Sequence, residues 1–219
     1  MSTNTKIALA FTAVLAAGAI AAVALVLTQQ SQRPTASAPG APPQPALRSD
    51  TRILDEGSSG VVVVEFLDFE CEACGAFYPY VEELRAQHAG EVTFAFRYFP
   101  LPGHGNSVNA AVAVEAAARQ GALEPMFARM FETQAAWGER GSESQAHVFR
   151  GYAEELGLDM ARFDADVADP EVLARVQSDF DAGVELGVTG TPTFFVNDRK
   201  VQLESLDDLA IAIEVELEK

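Results

Sequence analysis

The chain has 219 residues, 48% apolar and 21% charged, which suffices for one good core and excludes disorder along the whole length. The net charge is −17, and because the residues up to Asp50 carry only Lys6, Arg33, Arg48 and Asp50, the remainder holds −19. A body that acidic repels phosphate backbones and anionic membrane surfaces, so nucleic acid is excluded as a partner. From Ile7 to Leu27 run 21 residues without a charge, enough to cross a hydrocarbon core that needs about 20 helical residues. Lys6 and the α-amino group precede the run and place the N-terminus in the cytoplasm and the body outside. Residues 1–28 are therefore read as a single-pass membrane anchor. The alternative is a cleaved signal peptide, with Ala22-Val-Ala24 or Ala36-Ser-Ala38 as the small-residue site. Either reading exports the body to an oxidising compartment, where a cysteine pair can cycle as a disulfide.

Residues 29–50 are rich in Pro, Ala, Ser and Gln, and Pro34, Pro39, Pro42, Pro43 and Pro45 forbid a helix, so this segment reads as a semi-extended linker. The body then occupies 51–219. Val61–Phe69 is β-branched and aromatic on both faces, as a central strand is. Cys71 to His88 has helical spacing, with Phe77, Tyr80, Val81 and Leu84 on one face, a kink expected at Pro79 and a stop at Gly90. Val92–Phe99 alternates as a second strand, and strand–helix–strand in so short a span predicts a parallel pair. A helical insert of about 106–186 follows. Asn106 or Ser107 caps its first helix, and Glu124-Pro125 opens a second that ends near Gly138. Ser142 with Gln145 forms a capping box for the third, Asp159 caps the fourth, and Asp169-Pro170 starts the fifth. Met126, Phe127, Met130 and Phe131 are spaced as a packing face, and Trp137 reads as core. Thr193–Val196, an Asn197-Asp198 turn and Lys200–Leu203 make a hairpin, and Ser205 caps a last helix. The chain is α/β in class.

Chemistry concentrates at Cys71-Glu-Ala-Cys74, where a buried strand turns into a helix. A helix N-terminus favours an anion through its unpaired N–H groups and macrodipole, and a thiolate is the species that attacks a disulfide. Two other readings stand beside a redox pair. One is half a zinc site completed from His88, His104 and His147, whose spacings match no finger pattern. The other is a static bridge across so short a loop, which stabilises little. Far along the chain, Val188-Thr-Gly-Thr-Pro-Thr193 suits a tight loop with a cis Thr191–Pro192 bond. Glu65, in the middle of VVVVEFLDF, is costly to bury without a function. Desolvation would raise its pKa and make it a proton acceptor for Cys74 through water. The alternative turns Glu65 to an exposed sheet end. His104, in Pro-Gly-His-Gly-Asn, reads as a solvent-exposed loop histidine before it reads as a site residue.

Glu65-Phe-Leu-Asp-Phe-Glu-Cys71-Glu-Ala-Cys74-Gly-Ala-Phe77-Tyr-Pro79, then Arg97-Tyr-Phe-Pro-Leu, the helical insert and Gly190-Thr-Pro-Thr193 resemble, in that order, the DsbA-like branch of the thioredoxin superfamily. The resemblance implies a thioredoxin-like fold carrying the insert. It also implies a thiol–disulfide oxidoreductase in which Cys71 is the nucleophile and Cys74 the resolving cysteine of a redox-active disulfide. By the same resemblance Pro192 is the cis-proline, Thr191 pairs with the substrate chain through its backbone, and Glu65 is the acidic residue beneath the pair. No cofactor and no metal are implied. The implied partners are exported protein substrates and a membrane redox partner that resets the pair. One departure stands out: Glu72-Ala73 replaces the Pro-His of the most oxidising members, and Glu70 and Glu72 put negative charge beside Cys71.

Overall fold

A computed structural model describes residues 45–138, 141 and 143–219. The anchor assigned to 1–28, the linker up to residue 44 and Ser142 lie outside the described residues. Among the described residues no helix is long and apolar enough to cross a membrane. The elements are β1 (Arg52–Asp55), β2 (Val62–Leu67), α1 (Glu72–Gln87), β3 (Thr93–Tyr98), α2 (Ser107–Ala118), α3 (Leu123–Glu132), α4 (Gln134–Trp137), α5 (Ala146–Glu155), α6 (Met160–Ala168), α7 (Pro170–Glu185), β4 (Thr193–Val196), β5 (Arg199–Lys200) and α8 (Asp207–Leu217). They build a five-stranded sheet in the order β1-β3-β2-β4-β5.

The predicted β2–α1–β3 unit is present, with β2 and β3 parallel in a register that runs from Val62↔Thr93 to Leu67↔Tyr98. β4 returns antiparallel on the other side of β2 and sets Phe66 opposite Thr193, which brings the proline loop to the end of the strand that leads into Cys71. Strand alternation divides the side chains between two faces. Val63, Phe94, Phe194 and Val196 pack with Val81 and Leu84 of α1 and Leu209 and Ile213 of α8. Further along the same face, Leu67, Phe96 and Tyr98 join Phe127, Met126 and Met130 of the insert. The opposite face carries Val64, Phe66, Ala95 and Phe99, with Phe180 and Leu186 packed against them. There α7 approaches so closely that a Cβ on Gly183 would lie 2.7 Å from the Phe99 ring.

The structure departs from the sequence reading at several places, each for a local reason. β1 was not expected; it is a half-buried edge strand antiparallel to β3, and its register shifts between Ile53 and Asp55. The body also starts earlier than residue 51. Ala46 is buried, donates its N–H to Asp198 Oδ1 at 2.8 Å, and accepts from Arg97 Nη1 at 3.4 Å. Among the described residues the insert has six helices rather than five, because the second breaks at Thr133, whose hydroxyl donates to the Arg129 carbonyl at 2.6 Å. The start of α5 is held by Asn106, whose Oδ1 accepts the Gln145 N–H at 2.7 Å, so Asn106 does not cap its own helix; the capping box of Ser142 with Gln145 falls on a residue outside the described ones. Asp159 and Asp169 cap α6 and α7 as expected. Ser205 does not cap α8; Asp208 folds back and accepts the N–H groups of Glu204 and Ser205. The second hairpin strand is only Arg199–Lys200, reached through Asn197 and Asp198 at φ +46° and +63°, a conformation these two residue types tolerate. α1 continues unbroken through Pro79.

Candidate active site

Cys71 is the N-cap of α1 with extended backbone and no side-chain cap bond. Its N–H donates to the Asp68 carbonyl at 3.1 Å, and its carbonyl accepts from Gly75 N–H. Both cysteines are free thiols. Cys71 is largely covered: the residue keeps only 7% of its surface, against 1% for Cys74. The cover comes from the loop before β4, where Thr191–Pro192 is cis and the Thr191 carbonyl accepts from the Cys71 thiol at 3.4 Å. Two segments 120 residues apart therefore meet at one sulfur, as the motif order implied.

The two thiols are driven apart electrostatically. A hydrogen bond from Cys74 leads the causes that bring Cys71 down to about 5, against the opposing cost of burial. Thr191 and the N–H groups of Cys74 and Ala73 add to it. The Thr191 hydroxyl is buried and has no partner among the described residues. Cys74 is pushed well above the usual thiol value, by burial first, then by its bond to Cys71 and the charges of Glu65 and Cys71.

Glu65 is buried on β2, on the face that carries Val63 and Leu67, not turned to an exposed sheet end. Burial, then the charges of Cys71 and Glu82, push its carboxyl up to about 8. An unfolded chain loses that proton near pH 4.5, whereas the folded chain holds it to about pH 8. The native state therefore binds more protons across that window, and stability falls as pH rises through it. Glu65→Gln needs no proton. It is expected to be more stable than the parent by about 4 kcal/mol at pH 8 and nearly equal to it below pH 4. Urea unfolding at the two pH values checks this; an equal difference at both would sink it.

Three further residues belong to the site; of these the sequence reading noted only Glu70, as a charge beside Cys71. Asp68 is buried, and its carboxylate accepts from Glu70 N–H (2.9 Å), Leu101 N–H (2.9 Å) and the Ser107 hydroxyl (2.6 Å). Glu70 is also buried, and its Oε2 accepts Asn106 N–H at 2.6 Å. It is thus a strut between the cysteine turn and α2 rather than a free surface charge. Gln134 of α4 donates to the carbonyls of Phe69 (2.7 Å) and Cys71 (2.9 Å), which clamps the turn from the insert side. For Asp68 the sequence signal was its place as a carboxylate in the same apolar run that marked Glu65. His104 is not a free loop histidine; its Nδ1 lies 2.7 Å from Asp68 Oδ2. His88 sits far off at the end of α1, beside Glu91 and Glu214, and His147 lies on α5. The zinc reading therefore lacks converging ligands among the described residues. Trp137 is core: it is fully buried, bonded to the Met130 carbonyl and edge-on to Phe149.

The sequence profile described as thioredoxin matches residues 50–215. The chain belongs to the thioredoxin family. Among solved structures, the thioredoxin-like oxidoreductase from Silicibacter pomeroyi is similar at 27% identity and a TM-score of 0.65, over 78% of this chain and 95% of that one. Oxidised BdbD from Bacillus subtilis shares the fold at 22% identity and a TM-score of 0.69, over 80% of this chain and 97% of its own. Wolbachia pipientis alpha-DsbA1 does so at 18% and 0.66, over 78% and 93%. The likeness to DsbA-like thioredoxins read from the motifs is thus met by the fold. A Na(+)/H(+) antiporter NhaA of Herminiimonas arsenicoxydans is 38% identical over 142 residues, 65% of this chain and 21% of that protein. The NhaA 3 antiporter of Salinispora tropica is 40% identical over 141 residues, 64% of this chain and 20% of its own. The chain spans about a fifth of the length of these curated relatives.

Proposed function

We propose that this thioredoxin-family chain is a protein thiol–disulfide oxidoreductase acting outside the cytoplasm, held to the membrane through residues 7–27, and working as a disulfide-forming oxidase on exported proteins. The observation that carries the reading is the split between the two thiols, Cys71 at about 5 and Cys74 well above the ordinary value. In the oxidised form a substrate thiolate would attack Cys71 Sγ, forming a mixed disulfide and breaking the Cys71–Cys74 bond. Cys74 leaves as the less stable anion and takes a proton from the neutral Glu65, through water. A second substrate thiolate then attacks the substrate sulfur of the mixed disulfide and expels Cys71, whose low pKa makes it a good leaving group. The substrate gains a disulfide, the enzyme keeps two electrons as a dithiol, and a membrane redox partner reoxidises it. Thr191 and Pro192 would hold the substrate backbone beside Cys71. No cofactor takes part.

Stabilising one thiolate stabilises the reduced enzyme and makes its disulfide the stronger oxidant. Equilibration with glutathione should therefore give a potential nearer −120 mV, the strongly oxidising end, than −270 mV, the reducing end. A value at the reducing end, with rapid insulin reduction by the dithiol, would replace this reading by a membrane-fed thiol reductase. Absence of exchange in both assays would leave a binding module.

A further inference from the structure

We propose that His104, pinned by the buried Asp68 carboxylate, is the positioning residue that supplies the Cys71 thiolate with a cation, replacing the imidazole that Glu72-Ala73 leaves out between the cysteines. This rests on the reading of Cys71 as the nucleophile. The geometry is a short relay through one residue. The Asp68 carbonyl accepts the Cys71 N–H at 3.1 Å, and its carboxylate lies 2.7 Å from His104 Nδ1. The same carboxylate accepts from Leu101 N–H and Ser107 Oγ on either side of His104, so the β3–α2 loop is anchored to the cysteine turn at three points. The Asp68 side chain is fully buried, while His104 keeps about a third of its side chain exposed, so the imidazole can exchange its proton with solvent.

The groups facing His104 are Asp68, Glu70 and Cys71, all negative when charged, and together they favour imidazolium and raise its pKa against the opposing cost of burial. Coupling between two sites is reciprocal: if the Cys71 anion stabilises the His104 cation, the cation stabilises the anion equally. Around Cys71 the other groups are Cys74, which donates to it, the Thr191 loop, and the acidic Glu65, Asp68, Glu70 and Glu72, which oppose an anion; of these Asp68 is paired with His104 itself. Cys71 titrates at about 5 and His104 above its ordinary value, so the cation is in place while the thiol loses its proton.

The test uses the full chain, reduced, with the thiolate followed by ultraviolet absorbance and the potential measured against glutathione. His104→Gln is expected to raise the Cys71 midpoint by about half to one unit, three- to tenfold less thiolate below it. The potential should become more reducing, with a tenfold change in the equilibrium constant equal to about 30 mV. His104→Lys, which keeps the charge, should stay near the parent. The gap between parent and His104→Gln should close at alkaline pH, where the imidazole is neutral. If His104→Gln leaves a low midpoint unmoved, or His104→Lys raises it equally, the charge role is overturned and the nucleophile reading survives. If the parent Cys71 titrates as an ordinary thiol, both fall together.

Discussion

Cys74→Ser should convert the protein into a trap, accumulating substrates as mixed disulfides on Cys71, whereas Cys71→Ser should accumulate almost none. The argument is one of ionisation and access together. With Cys71 at about 5 and Cys74 above 9, the thiolate fraction at pH 6 favours Cys71 by about a thousandfold. A low-pKa thiolate is intrinsically a poorer nucleophile, which gives back between one and two powers of ten across that gap. More than tenfold remains, and the heavier burial of Cys74 widens it. The same arithmetic predicts that the selectivity shrinks as pH rises toward 9, because Cys74 begins to ionise while Cys71 is already fully charged. Alkylation rates of the reduced protein at pH 6 and pH 9, with non-reducing gels of both variants in exporting cells, check each step. Faster alkylation of Cys74 at pH 6, or stronger adducts from Cys71→Ser, would reverse the assigned order.

Asp179→Ala should be among the most destabilising single changes in the body. Arg97 of β3 and Asp179 of α7 are both fully buried, with Arg97 Nε donating to Oδ1 at 2.7 Å. Asp179 also accepts the Tyr98 N–H at 3.3 Å and lies 2.5 Å from Arg175. The Arg97 guanidinium stands over the Phe66 ring at 5.2 Å and cannot reach water without opening the sheet–helix interface. Removing the carboxylate leaves a buried, uncompensated cation, at a cost of about 3–5 kcal/mol. That is a large share of the roughly 5–15 kcal/mol that holds a domain folded. Replacing both partners, Arg97→Leu with Asp179→Leu, should cost less than Asp179→Ala alone, because the fully buried Arg97 cation goes with its partner and only Arg175, which keeps some exposure, loses a carboxylate. Urea unfolding at constant slope measures both. A loss below about 1 kcal/mol for the single variant would show that the pair contributes little.

What the sequence made legible was what local patterning can encode. The apolar run VVVVEFLDF, the turn into Cys71 and the return at Thr193–Val196 set the strand order near the site, and the loop before β4 brings the Thr191 carbonyl, next to Pro192, against Cys71. β1 escaped because four half-buried residues, Arg-Ile-Leu-Asp, carry no period of their own and are strands only through pairing with β3. The supports of the cysteine turn escaped for a related reason. Asp68 meets Ser107, Glu70 meets Asn106, and Gln134 meets Phe69, pairs 36 to 65 positions apart that no local spacing records. The cap expected at Ser205 was misjudged because Asp208, inside α8, folds back onto the N–H groups of Glu204 and Ser205. His104 looked exposed because glycines flank it, yet a buried partner 36 positions earlier claims its ring.

The clamp by Gln134 has a consequence for how the insert can be exchanged. Its carboxamide reaches the two carbonyls by occupying the space above Gly75, where any Cβ would run into it. Positions 75 and 134 are thus a lock and its key, held by opposite halves of the molecule. A helical insert grafted in from another protein could preserve every cysteine and every strand, yet leave the carbonyls of Phe69 and Cys71 without their donor. The insert is a custom part, and transplanting it means transplanting the glycine as well.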